Sequence, residues 1–199
     1  MHHIAKPFRG AALAASALPD RPGLSAMLPG GLFLAATILG MALMAPPAQS
    51  QEAQQEVGFI SAEGADIGTA TLTPTPAGLL IELDLHDLTP NTWHGFHIHE
   101  TGVCDAEDGF KSAGGHFAGS ATEHGFLSAG GPHVGDMPNQ YVASDGTLKA
   151  QVLNTMAVLG GDTDNVSGRA FMLHGGPDDY QSQPSGAAGD RVGCAVIPG

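Results

Sequence analysis

Histidines are concentrated in one stretch of this chain, from Trp93 to Asp136. That stretch holds six of the ten histidines in the sequence: His94, His97, His99, His116, His124 and His133. Imidazole is the commonest protein ligand for zinc and copper. So many ring nitrogens in one segment predict a metal centre, provided that the fold brings them together.

Four of these side chains have the composition of a closed zinc site. His116, His124, His133 and Asp136 follow one another as H-x7-H-x8-H-x2-D inside a long glycine- and acid-rich loop. Three imidazoles and one carboxylate complete a tetrahedral zinc site and leave no position for a reactive water. The pattern therefore predicts a structural zinc, which would also order a loop that is too long to stay fixed without support.

A second set of histidines suits copper. His97 and His99 form a His-x-His pair in a strand-like run, and side chains alternate between the two faces of a strand. Phe96 and Ile98 are therefore expected to face the core, while the two histidines project together from the other side. With His174, which ends a later strand-like run, they supply an all-imidazole set of the kind that copper prefers.

The charge of the chain argues against nucleic-acid binding. The sequence has 20 Asp and Glu against 7 Lys and Arg, a formal net charge of −13 at pH 7. A nucleic-acid partner requires a basic face that neutralises phosphates, and none is visible. We interpret the acidic excess as a contribution to solubility.

The first 50 residues differ in composition from the rest. They contain three of the basic residues, Lys6, Arg9 and Arg21, then an apolar run from Leu32 to Ala45 and an exit of small residues and prolines. This order predicts a signal peptide over residues 1–50 and a periplasmic or secreted domain over residues 51–199, with no stable membrane insertion after cleavage. An uncleaved anchor is the alternative, although the run is shorter than the ~20 residues that a span requires.

The two cysteines of the chain, Cys104 and Cys194, lie far apart in the sequence. In a small exported domain such a pair predicts a disulfide bond, and two unrelated thiols are the alternative.

The chain after the export segment has the pattern of an all-β protein. The run Leu79–Leu88 alternates apolar and polar residues, as a half-buried strand does. The two prolines within residues 73–78 predict a turn outside any ladder, and Asp145-Gly146 between strand-like runs predicts a hairpin. About eight short strands with little helix predict a sandwich or barrel with two long loops, residues 101–139 and 175–190.

Five segments resemble the motifs of the copper/zinc superoxide dismutase family. They are HGFHIHE, SAGGHF, HVGD, FMLHGGPDDY and GDRVGCAVI, and they occur in one order within about Val57 to Ile197. The resemblance, which is to the bacterial secreted or periplasmic type, implies an all-β fold. That fold is an eight-stranded Greek-key β-barrel, an immunoglobulin-like sandwich, with long metal-binding and electrostatic loops.

The resemblance also implies a role for each site residue. Copper would be held by His97, His99, His116 and His174. Zinc would be held by His116, His124, His133 and Asp136, so that His116 bridges the two metals as an imidazolate. Asp178 would link the two sites by hydrogen bonds, and His94 would support them without binding metal. Cys104 and Cys194 would form the family disulfide. Arg191 would attract and orient the anion beside copper, which makes Arg191 and His116 the catalytic residues.

The activity implied by the resemblance is the conversion of superoxide to oxygen and hydrogen peroxide by copper redox cycling, with zinc in a structural role. The alternative is a copper- and zinc-binding domain on the same scaffold that stores metal or delivers it. Such a domain would need neither Arg191 over the metal nor the complete copper set that His174 provides. A zinc hydrolase would need an open zinc position, which the closed set lacks.

Two further expectations concern the substrate and the assembly. The 175–190 loop contains no lysine or arginine, so Arg191 is expected to attract the anionic substrate nearly alone. The sequence leaves open whether the protein is a homodimer or a monomer.

Overall fold

The computed structural model describes residues 53–199 and has an all-β architecture. Its eight strands are β1 (Gln55–Ser61), β2 (Asp66–Thr75), β3 (Gly78–Leu85), β4 (Trp93–His99), β5 (Asp136–Tyr141), β6 (Leu148–Asn154), β7 (Ala170–His174) and β8 (Arg191–Val196). Within residues 53–199 the only helix is a three-residue 3-10 turn, Lys111–Ala113, and no helix there could cross a membrane. The predicted signal peptide, residues 1–50, lies outside the described residues.

All eight strands belong to one antiparallel sheet with the order β5-β4-β7-β8-β1-β2-β3-β6. The pairs β3–β6, β4–β7 and β1–β8 join strands that are not consecutive in the chain, as Greek-key connections do. The outermost strands, β5 and β6, approach each other, so the sheet curls into a nearly closed barrel. The predicted fold class is confirmed.

The core fills the inside of this barrel. On β3 the residues Leu79, Ile81, Leu83 and Leu85 are buried, as the alternation of the sequence predicts. Phe96 on β4 stacks on Phe171 with ring centroids 5.5 Å apart, and both rings are fully buried. Burying such aromatic rings stabilises the barrel wall from which the neighbouring histidines project.

The prediction that both prolines near residue 75 lie outside a ladder was wrong for Pro74. Pro74 is opposite Leu79 in the β2–β3 ladder. The last pair between β1 and β2 is Gln55 with Leu72, so Pro74 lies beyond the reach of β1. At such an edge position no neighbouring strand requires the N–H that proline lacks.

The hairpin predicted around Asp145-Gly146 was also wrong. The turn itself forms, because the Gly146 N–H donates to the Ala143 carbonyl at 3.1 Å. The flanking strands do not pair, since β5 bonds to β4 and β6 bonds to β3. The turn therefore spans the one seam of the barrel wall that the described strands leave open.

Candidate metal centre

Strand β4 carries the first two candidate ligands. Phe96 and Ile98 point into the core with no exposed surface, and His97 and His99 alternate with them on the outer side of the barrel. The two histidines are nevertheless almost fully buried, at 0% and 1% exposure, because the long loops cover that side. β4 lies between β5 and β7, so its neighbours on both sides can bring further ligands.

Four histidines, which we call the imidazole group, converge outside β4. One ring nitrogen from each member lies within 4.8 Å of those of the others. The members are His97, His99, His116 and His174. The first long loop, residues 100–135, brings His116 to this point through a backbone bridge to His99, and β7 ends at His174. All four residues of the predicted copper set are thus brought together.

The hydrogen bonds of the imidazole group leave unprotonated ring nitrogens that face one another. One nitrogen in each of three rings faces an oxygen acceptor and carries the proton of the neutral ring. These contacts run from His97 Nε2 to Asp178 Oδ2 (2.8 Å), from His99 Nδ1 to the Gly114 carbonyl (2.9 Å) and from His174 Nδ1 to the Gly189 carbonyl (3.2 Å). The opposite nitrogens therefore present lone pairs, and His97 Nδ1 has no protein partner. Since His99 Nε2 and His174 Nε2 lie 3.4 Å apart, a cation fits between them.

A second set, which we call the mixed group, lies on the other side of His116. It consists of His116, His124, His133 and Asp136. The Oδ1 atom of Asp136 is 2.9 Å from His116 Nδ1, 3.0 Å from His124 Nδ1 and 3.5 Å from His133 Nδ1. His124 Nε2 faces Asp178 Oδ1 at 3.0 Å and therefore carries the proton of the neutral ring. His124 Nδ1 is then unprotonated, and its lone pair faces the Asp136 carboxylate oxygen. A cation removes this repulsion, and three imidazoles with one carboxylate form a set that zinc accepts.

His116 belongs to both groups through its two ring nitrogens. Its Nδ1 faces Asp136 in the mixed group, while its Nε2 is buried without a hydrogen-bond partner. The next residue, Phe117, donates its backbone N–H to the Ile98 carbonyl at 2.8 Å, which anchors this part of the loop to β4. The ring is therefore held between the two groups by the barrel wall.

Asp136 opens strand β5, although the sequence placed it within the long loop. Its Oδ2 accepts hydrogen bonds from the backbone N–H groups of Gly125 (2.8 Å) and His133 (2.9 Å). Burial alone would raise the pKa of Asp136, but the hydrogen bonds from His116 and from these two backbone groups hold it well below its usual range. The carboxylate is therefore ionised at neutral pH.

Burial keeps His97, His99 and His174 neutral. It is the main cause that lowers the pKa of His97 well below the usual value, with the nearby His116 and His174 acting in the same direction. Burial likewise lowers the pKa of His99 to about 2, together with His116 and Arg191, and that of His174 to about 4. Metal binding requires neutral imidazole, so the site is prepared for a cation at neutral pH.

Arg191 stands at the edge of the imidazole group. Its guanidinium donates to the carbonyl of Phe110 and, at 2.6 Å, to the carbonyl of Gly114. The Gly114 carbonyl also accepts from His99. One peptide group of the first long loop therefore orients both the arginine and a histidine of the imidazole group.

The predicted disulfide is present between Cys104 and Cys194, with Cα atoms 5.7 Å apart. It fastens the start of the first long loop to β8, the strand that begins with Arg191. Cys194 is fully buried in a small apolar cluster that includes Phe110 and Met172. The disulfide and the two arginine hydrogen bonds thus hold the same loop against the same strand.

A cavity of about 220 Å³ opens onto the imidazole group. It is lined by His99, Gly115, His116, His174, Pro184, Ser185, Gly189 and Arg191. Arg191 supplies the one cationic side chain of this lining. The cavity is large enough for a few water molecules, so it suits a small anion better than a large substrate.

Asp178 and His94 occupy supporting positions. Asp178 contacts one histidine of each group, His97 and His124, and is 3% exposed. His94 lies within hydrogen-bond distance of the His174 carbonyl through Nδ1 (2.6 Å) and of Thr92 Oγ1 through Nε2 (2.6 Å). Both nitrogens of His94 are therefore engaged outside the two groups.

Two amide side chains that the sequence did not single out also hold the site. Gln183 accepts from the His124 N–H at 2.9 Å and donates to the His124 carbonyl at 3.0 Å. Asn139 pairs in the same way with the backbone of Asp178. An amide that pairs with backbone groups has no characteristic spacing, so no signal in one sequence marks it.

Comparison with known proteins agrees with this geometry. Residues 67–197 match the family model described as copper/zinc superoxide dismutase (SODC). The copper/zinc superoxide dismutase 1 of Aquifex aeolicus (strain VF5) is 43% identical over 152 residues, which cover 74% of this chain and 89% of that protein. That of Caulobacter vibrioides (strain ATCC 19089 / CIP 103742 / CB 15) is 40% identical over 141 residues, 68% of this chain and 80% of the relative.

A solved structure points the same way. The structure of a SOD-like protein from Bacillus subtilis has a TM-score of 0.67 and 34% identity, and the match covers 73% of this chain and 99% of that one. Three observations lead to one assignment: two groups of candidate metal ligands that share one histidine, the match over most of the barrel and the identities to curated dismutases. This chain belongs to the copper/zinc superoxide dismutase family.

Proposed function

We propose that this protein is an exported superoxide dismutase, with residues 51–199 as the mature domain in the periplasm or outside the cell. Three features support export. The N-terminal composition is that of a signal peptide. The domain contains a disulfide, which persists in oxidising compartments. Relatives with the same family name occur in bacteria.

In the proposed site the imidazole group binds copper and the mixed group binds zinc. The observation that carries this assignment is the position of His116, which directs Nδ1 to the mixed group and an unpartnered, buried Nε2 to the imidazole group. The all-imidazole donor set suits copper, and the set with a carboxylate suits a structural zinc. Asp178 links the two sets from outside, because its two oxygens contact His97 and His124.

Copper, when bound, supplies the one-electron exchange that oxidises one superoxide to oxygen and reduces a second to peroxide. The protein's own contribution begins at Arg191, whose half-buried guanidinium attracts and orients the anion at the cavity. The carbonyls of Gly114 and Gly189 fix the rings of His99 and His174, so their lone pairs stay directed inwards. Whenever His116 Nε2 is not bound to copper, it can hold a proton and donate it to the reduced product, because no protein group forms a hydrogen bond with that atom.

Metal analysis combined with a superoxide-decay assay tests this proposal. The purified protein, supplied with both metals, is expected to hold about one copper and one zinc per chain and to accelerate superoxide decay. His174→Ala serves as the matched variant, because it removes one candidate copper ligand and leaves the mixed group complete. It should lose copper and activity while keeping zinc. Stoichiometric binding of both metals without superoxide decay would instead assign the protein to metal storage or delivery.

A further inference from the structure

The carboxylate of Asp178 joins the two groups, but it sits in the second long loop, residues 175–190, which contains no strand. Its Oδ2 is 2.8 Å from His97 Nε2 and its Oδ1 is 3.0 Å from His124 Nε2. Both histidine side chains and the Asp178 side chain have no exposed surface. The orientation of this carboxylate therefore determines which nitrogen of each ring is left bare for a metal. Some other residue must fix the backbone that carries it.

Asn139 on strand β5 provides that support. Its Nδ2 donates to the Asp178 carbonyl at 2.8 Å, and its Oδ1 accepts from the Asp178 N–H at 2.8 Å. Both backbone groups of Asp178 are thus satisfied by one side chain. The backbone N–H of Asn139 also donates to the hydroxyl of Tyr180 at 2.8 Å, which fixes the residue two positions further along the loop.

A β-bulge explains how Asn139 reaches this loop. His94 is opposite Gln140 and Phe96 is opposite Met137, so Gly95 alone faces two residues of β5, Pro138 and Asn139. Asp136 and Asn139 are three positions apart, and in a regular strand they would point to opposite faces. The extra residue re-aims the strand, as bulges beside functional sites do, and both side chains then serve the metal centre.

Gly95 opposite the bulge lets the second long loop pack directly on β4. Its N–H donates to the Gly176 carbonyl at 2.8 Å. A Cβ atom at position 95 would lie 2.9 Å from Ala188 Cβ and 3.5 Å from Asp178 Cβ. The loop segment that carries Asp178 therefore lies directly against β4 opposite the bulge, which brings the Asp178 backbone within reach of Asn139.

We propose that Asn139, directed outwards by the β5 bulge, is a positioning residue that sets the orientation of Asp178 and thereby of His97 and His124. The inference rests on the proposed function, because these two histidines are the candidate ligands of copper and zinc. One amide side chain on the barrel wall thus aligns one candidate ligand in each metal site. Groups that orient ligands in this way commonly change metal affinity by about 10–100-fold.

The test uses Asn139→Ala with Asn165→Ala as its matched control. Asn165 also pairs with backbone groups, since its Oδ1 accepts from Gly160 and Ser167, but it lies in a loop outside both metal groups. Two quantities are measured for each variant and for the wild type. One is the zinc dissociation constant of copper-free protein, in competition with a chromophoric chelator. The other is the exchange rate of the histidine Nε2–H protons in metal-free protein, followed by ¹H–¹⁵N NMR.

Asn139→Ala is expected to bind zinc about tenfold more weakly and to exchange the Nε2 protons of His97 and His124 faster than the wild type. Asn165→Ala should leave both quantities unchanged, even if it lowers thermal stability. A zinc dissociation constant within about twofold of the wild type, with unchanged exchange at both protons, would overturn the positioning role of Asn139.

A second variant keeps the test decisive if Asn139→Ala does not fold. Asn139→Asp retains an acceptor for the Asp178 N–H but replaces the donor to the Asp178 carbonyl with a carboxylate oxygen that repels it, so faster exchange of the two protons is again expected. The result is separate from that of the proposed function. A wild type that binds no zinc would contradict the ligand assignment, whereas the exchange rates in metal-free protein still decide whether Asn139 orients Asp178.

Discussion

Removing the disulfide should destabilise the protein by a large and calculable amount. The bond joins residues 90 positions apart, Cys104 and Cys194. In the chain-entropy model a loop of this length corresponds to about 4–5 kcal/mol of stabilisation. Since 1.4 kcal/mol is a tenfold change in an equilibrium constant, the folding equilibrium should fall by roughly three orders of magnitude in the double variant Cys104→Ser/Cys194→Ser.

The same substitution should also affect the cavity, but to a smaller extent. Without the disulfide, the loop segment that holds Arg191 stays attached by the two guanidinium bonds to Phe110 and Gly114 and by the burial of Phe110. These contacts involve few atoms, so the arginine should become more mobile while both metal groups remain complete. We therefore expect lower activity per bound copper together with unchanged metal content.

Denaturant unfolding of the metal-free protein measures the first effect, with the chemically reduced wild type as the control. The reduced wild type and the double variant should show the same loss in the free energy of unfolding, because both lack the same covalent constraint. A loss below about 1 kcal/mol in both would show that the unfolded chain retains enough structure to cancel the entropic effect, and would refute the calculation.

Three further predictions concern the metal centre. Arg191→Ala should reduce kcat/KM for superoxide at least tenfold with unchanged copper content, because the one cation lining the cavity is lost; equal rates would remove the arginine from the mechanism. In metal-free protein the folded-state pKa of His174 is about 4 and that of His99 about 2, both below the ordinary 6.5, so the unfolded chain takes up protons first. The free energy of unfolding should therefore have its full value above about pH 6.5 and decline as the pH falls from there through pH 4 towards pH 2. A flat profile measured by denaturant titration would contradict the burial argument. His124→Ala should lose zinc and keep copper in elemental analysis, whereas loss of copper alone would reverse the assignment of the two groups.

The sequence predicted which candidate ligands come together better than it predicted their surroundings. His97 and His99 could be placed on one outer face because alternation along a strand depends only on local geometry. The convergence of His174 on them depends on the β4–β7 pairing, which joins strands far apart in the chain. Donor chemistry and the family resemblance, not periodicity, grouped His174 with these two histidines.

The features that the sequence missed depend on tertiary context. Asp136 opens β5 because β4 offers it a pairing partner opposite His97, an effect that residue type does not reveal. Pro74 joins a ladder because β1 ends before it reaches that residue. Asn139 owes its role to a one-residue bulge, and a bulge becomes visible only when the register of both strands is known.

His116 is expected to serve two metals with its two ring nitrogens, and anomalous X-ray diffraction at the copper and zinc edges tests this most directly. In crystals of the oxidised, fully loaded protein we predict a copper signal beside His116 Nε2 and a zinc signal beside His116 Nδ1, with the ring between them. If either ring nitrogen of His116 has no metal signal beside it, His116 does not bind both metals.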